Sequence, residues 1–190
     1  MKIIFRILLV ALLSTISHLA LAQSRYTVSQ SLDFWITNTE KDVVGAAEAM
    51  PEEKYSFAPS PAAGEFTGVR TFAEQVKHLA ANNYRMAANI LAQTPTPEQE
   101  TETGPDDVRS KVQIVDYLKG SFVALHRAVA TITEENMLKP LASHPARRQN
   151  NPIQFAVDAV AHSYDHYGQM VEYLRMNGIV PPASRPAPSK

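Results

Sequence analysis

Two histidines, His162 and His166, stand four residues apart in a chain of 190 residues that has six histidines and no cysteine. In a helix that spacing puts both imidazoles on one face about one turn apart, where they can share a single metal ion. The same spacing also occurs on helices without function, so ligation and a plain helical face both stay open at this point. Ser163 follows His162, which excludes the HExxH arrangement whose glutamate is the base of a zinc protease. The lack of cysteine removes disulfides, thiolate zinc sites and cysteine nucleophiles together. A metal site must then use imidazole, carboxylate, amide or water, a set that suits zinc, nickel, iron or manganese.

Phe155, Ala159, His162, His166, Met170 and Tyr173 share one helical stripe, beside the apolar stripe of Ile153, Ala156, Val160, Tyr167, Val171 and Leu174. The histidines therefore border the core, where an unpaired polar group costs on the order of 1–3 kcal/mol. A metal would satisfy both rings at once. His78 is the candidate third ligand, since it flanks the apolar face of another helical block in a strip with Gln75 and Asn82. By itself it reads more readily as a satisfied interior or surface histidine. Three imidazoles on facing helices would leave a coordination position open, as catalytic zinc sites do.

Other residues could support such a site. Asp158, one turn before His162, is better placed to orient an imidazole than Asp165, which is turned about 100° from His166. Gln169 could hydrogen-bond a water at the site, and Asn82 is a further polar neighbour. Gly168, inside a helix, calls for a packing or access reason. His126 could be a fourth ligand or a proton carrier, although a histidine at a helix interface is the plainer reading. His144 has no partner at ligand spacing. Phe34, Trp35, Tyr55, Tyr84, Tyr164 and Tyr167 could line a ligand cavity, with core packing as the default.

Four helical blocks must position these residues. The first runs from about Ser31 to Met50, ended by Pro51. The second opens at Thr71 with Glu74 as a capping box and runs to about Ala92; the third opens at Ser110 with Gln113. The fourth opens with Asn151 as N-cap and Pro152 at the first helical position, and closes near Asn177 and Gly178. This pattern predicts an all-α four-helix bundle. The connections at about 51–70, 93–109 and 133–150 exceed the roughly two to eight residues usual in bundles. The segment from Tyr55 to Pro59 could lie across a bundle end, while Thr94 to Asp107 reads as polar, acidic and mobile.

Residues 1–22 read as a secretory signal: Lys2 and Arg6 precede the apolar run Ile7 to Leu13, and Ala20-Leu21-Ala22 supplies a cleavage pattern. The alternative is an uncleaved anchor, although the run is short for a span. Residues 23–180 then form one domain and 181–190 a proline-rich tail. Of 18 basic and 19 acidic residues, Lys2 and Arg6 leave with the signal, so the mature chain is mildly acidic and has no nucleic-acid footprint. Export to the periplasm or the cell exterior is expected, with no stable membrane span after the signal is removed.

The chain resembles the DinB family. The likeness lies in Ala49-Met50-Pro51-Glu52-Glu53-Lys54-Tyr55, in Thr71-Phe72 through Lys77-His78-Leu79-Ala80, and above all in His162-Ser163-Tyr164-Asp165-His166-Tyr167-Gly168-Gln169 continuing to Pro182. The resemblance implies an up-up-down-down bundle, often a homodimer, with a divalent metal on three histidines whose positions match His78, His162 and His166. Some relatives are thiol-dependent transferases or isomerases; their thiol cosubstrates are cytosolic, so export argues against that activity here. The expectation is a metal-dependent hydrolase or transferase acting on an unidentified small molecule, in which the metal lowers the pKa of a water or thiol. A non-enzymatic metal- or small-ligand-binding bundle is the alternative, and haem binding a remote third.

Overall fold

The computed structural model describes residues 26–142 and 150–186. The signal at 1–22, His18, His144 and the tip of the tail lie outside the described residues. Four long helices carry the fold: α1 (Val28–Ala49), α2 (Phe72–Ile90), α3 (Lys111–Val129) and α4 (Pro152–Met176). Their starts follow the cap chemistry. Thr71 accepts from the Glu74 N–H while Glu74 returns a bond to the Thr71 backbone, and Ser110 with Gln113 does the same. Asn151 caps α4, with Pro152 at its first position. The first helix begins three residues earlier than expected, because Thr27 and Gln30 form a further capping box. Gly178, at φ 72°, ends α4 in the left-handed region that glycine adopts without a Cβ penalty, and Ile179 N–H then reaches back to Leu174 O.

Helix directions follow from side-chain pairs. Lys111, at the start of α3, donates to Glu48 O and Met50 O at the end of α1, while His126, near the end of α3, meets Asp33 near the start of α1 and Glu40 near its middle. These two helices are antiparallel. Tyr173, near the end of α4, donates to Arg70 O just before α2, and Asn82 meets His162. So α2 and α4 are antiparallel as well. The Tyr55 ring contacts Phe72 at the start of α2 and lies beneath the Lys111 ammonium at the start of α3, which places both starts at one end. The order is therefore up, down, down, up, which corrects the up-up-down-down order implied by the resemblance.

This arrangement explains the long connections. Helices α1 and α2 sit on one diagonal of the bundle and α3 and α4 on the other, with the remaining pairs in contact around the ring. The 51–71 connection must therefore cross an end diagonally. The connection from 91 to 110 has to return along the full length of the bundle, since α2 and α3 run the same way. At about 1.5 Å per helical residue, that length is close to 30 Å.

The first connection does cross a bundle end. Phe72 N–H donates to Phe57 O and Ala73 N–H to Tyr55 O, each at 2.8 Å, so the strap satisfies two of the donors that open α2. The Tyr55 hydroxyl meanwhile donates to Ala47 O near the end of α1. The core between the helices is built from Ile36, Val43, Phe72, Leu79, Leu118, Phe122, Met170 and Leu174, all fully buried. Asn83, also fully buried, donates to Ser121 of α3 and accepts from Ser163 of α4, tying three helices at mid-height. Phe34 and Trp35 are exposed on the outside of α1, so the default of core packing does not hold for them. No helix among the described residues is long and apolar enough to cross a membrane.

Candidate metal centre

Helix α2 brings His78 against the face of α4 that carries His162 and His166. The antiparallel pairing sets the register: Gln75 opposes Gln169, Asn82 opposes His162, and Asn83 opposes Ser163. The three rings converge through their Nε2 atoms. His162 Nε2 lies 3.2 Å from His78 Nε2 and 3.1 Å from His166 Nε2, and the ligand atoms all fall within 4.8 Å of one another. Nitrogens bound at 2.0–2.1 Å around a tetrahedral zinc ion stand about 3.3–3.4 Å apart, close to the two separations that involve His162. His78 and His166 are buried, and His162 is half-buried.

The outer nitrogens fix the proton inventory. His78 Nδ1 donates to the Glu102 carbonyl at 2.7 Å, so its Nε2 offers a lone pair. Asn82 donates its amide N–H to His162 Nδ1 at 3.0 Å, held there by Arg85 on its oxygen, which puts the His162 proton on Nε2. That one proton faces two acceptor lone pairs, on His78 and His166. His166 Nδ1 is buried without a hydrogen-bond partner among the described residues. A divalent cation would engage all three Nε2 atoms once the His162 proton moves to Nδ1, so the residues fit such an ion with that one tautomer change.

Electrostatics keep the rings neutral. Burial lowers His162 to about 4, with the neighbouring His78 acting in the same direction. Burial lowers His166 to about 3, with His162 and His78 adding to it. His78 is also lowered by burial, partly opposed by its bond to Glu102. Neutral imidazole is the form that ligates a metal.

Glu102 is the residue that sequence reasoning missed. It lies in the 91–110 connection, expected to be mobile, yet the chain there packs along α2. Glu102 pairs with Arg70 at 2.8 Å, its carboxylate stands 3.4 Å from His78 Nδ1, and a Cβ at Gly104 would touch Lys77. An acidic residue 24 positions from His78 carries no local signal of this contact.

The other expected residues divide. Gln169 accepts from Gln75 and donates to Asp165 at 3.2 Å, forming an amide bridge one turn from His166. Asp158, preferred from spacing, makes no hydrogen bond to the three imidazoles among the described residues but acts on His162 through its charge, ahead of Asp165, which is tied to Gln169. Asp165 shares the Gln169 edge of α4. His126 is no ligand here, as both its nitrogens are taken by Asp33 and Glu40. A Cβ on Gly168 would meet nothing within 4 Å, so packing does not explain that glycine.

A four-helix bundle with three histidines converging between two facing helices defines a class of helical proteins whose core can hold a metal. The sequence profile of the DinB superfamily matches residues 36–170, which include all three histidines, and the chain belongs to that superfamily. None of the curated proteins matches it.

Proposed function

We propose that this DinB protein holds one divalent cation on His78, His162 and His166 and uses it as a hydrolase or transferase acting on a small molecule. The observation that carries the reading is the convergence of three neutral Nε2 atoms on one point. When bound, the cation supplies Lewis-acid polarisation to a heteroatom presented at its open side. The chain's own residues hold the geometry. Glu102 O fixes the His78 tautomer, Asn82 and Arg85 orient the His162 ring, and the Gln75–Gln169 bridge walls the site on the side of the α2 start. Zinc, nickel and iron suit an all-imidazole donor set, whereas manganese would need oxygen ligands beside it.

The N-terminal pattern of Lys2, Arg6 and Ala20-Leu21-Ala22 supports export to the periplasm or beyond. A homodimer is the assembly proposed from the family, with no nucleic-acid partner. A non-enzymatic binding bundle is the second reading, favoured by the burial of His78 and His166, which narrows access to the rings.

Elemental analysis of the full chain purified from its native compartment tests the core of the proposal. The expected result is one divalent ion per chain, lost in the His78→Ala, His162→Ala and His166→Ala variants. Metal retained in all three would overturn it. Turnover of esters, amides or thiol adducts that disappears with the metal separates the enzyme from the binding bundle.

A further inference from the structure

Beside the three histidines, at the α2 start, lies a cavity of about 840 Å³. That volume is in the range of sites that enclose drug-sized molecules. Gln75 and Gln169, each one helical turn from a histidine, form part of its wall, so their bridge separates a ligand seated there from the rings. Phe66, Val69 and Met176 supply apolar wall on the outer side.

The polar groups of the wall are unbalanced. Arg70, the Gln75 amide, the Gln169 amide and the Tyr173 hydroxyl each donate inside the protein, to Glu102, Gln169, Asp165 and Arg70 O. Three acceptor groups of the wall are left without a donor of this kind to balance them. Gln75 Oε1 is buried and has no hydrogen-bond partner among the described residues, on a side chain only 2% exposed. Glu172, at the rim, has no ion-pair partner among the described residues, and Glu74 adds a second rim carboxylate whose only bonds are to the Thr71 cap. Arg70, the one cation of the lining, is neutralised by Glu102 at 2.8 Å.

We infer that this cavity takes an apolar molecule bearing a protonated amine, its N–H groups meeting Gln75 Oε1 and the Glu74 and Glu172 carboxylates. This is a ligand class for the cavity that adjoins the proposed metal site across the Gln75–Gln169 bridge, and it stands apart from the metal reading. An anionic ligand of the same shape meets unscreened carboxylates and no free cation, so the wall selects by charge as well as by shape.

Calorimetric titration of the zinc-loaded full chain at low salt tests this with three matched probes: phenylbutylammonium, phenylbutanol and phenylbutanesulfonate. The ammonium probe is expected to bind about tenfold more tightly than the sulfonate, with the alcohol between, as two partly exposed charge contacts allow. Glu172→Gln, at an exposed position, should reduce the ammonium-to-alcohol ratio by about threefold. Sulfonate binding as tight as ammonium binding, a ratio unmoved by Glu172→Gln, or no binding of any probe would each overturn the inference. Zinc content of the same samples separates the two readings. One zinc per chain without charge preference sinks the cavity inference alone, whereas the preference in a chain that retains no zinc sinks the metal reading alone.

Discussion

His78 Nδ1 lies 2.7 Å from the backbone carbonyl of Glu102, so a residue of the full-length crossover sets the tautomer of a histidine on the helix it passes. The carbonyl stays in place because the Glu102 carboxylate is latched to Arg70. Outer contacts of this kind commonly govern metal affinity by about 10- to 100-fold.

The latch gives the first prediction. Arg70→Ala and Glu102→Ala should each loosen the crossover and weaken zinc binding, by about tenfold at most, since the carbonyl itself is retained. The double variant should lose little more than either single one, as residues acting through one contact are not additive. Competition with a zinc chelator reads the affinities. Fully additive losses would show that the two residues act separately.

Asn82 gives the second. It now donates to His162 Nδ1, which keeps the proton on Nε2, the atom that must present a lone pair to a cation. Asn82→Asp would accept from Nδ1–H instead and hold the opposite tautomer. Zinc affinity should rise by about tenfold. Unchanged or weaker binding in the same chelator competition would refute the tautomer argument.

A third prediction concerns pH. Burial by itself lowers His126, but the hydrogen bonds and charges of Asp33 and Glu40 outweigh it and raise the imidazole above its ordinary value. A raised folded-state pKa stabilises the fold fully below the unfolded value near 6.5, and the contribution fades as pH climbs through the folded value. The bridge joins α1 to α3 and is partly exposed, so it should be worth about 0.5–1 kcal/mol at low salt. Urea unfolding at about pH 6 should show that loss in His126→Gln, and the gap from the parent chain should close at about pH 9. A gap that widens with pH would reverse the assignment.

The buried Asn83 gives a fourth. Asn83→Ala leaves the Ser121 and Ser163 hydroxyls without this partner and opens space in the core. The expected cost is about 2–4 kcal/mol, read as a shift in the denaturation midpoint. A change below about 0.5 kcal/mol, the size usual at surface positions, would show that the tie carries no stability.

Much of this was legible along the chain. Helix starts were readable because a capping box is a local bond between residues three apart, as at Thr71 and Ser110. The His162/His166 pair was readable for the same reason, since four residues on a helix fix two side chains on one face. Spacing alone could name His78 as a candidate, and only the family resemblance joined it to the pair, because nothing local states which helix faces which. Only the tertiary structure decided that α2 lies antiparallel to α4 in the register that brings three Nε2 atoms together. It also decided the up, down, down, up order and the latch of Glu102 on Arg70. These are contacts between residues far apart in sequence, and burial and helix packing select them through the whole chain at once.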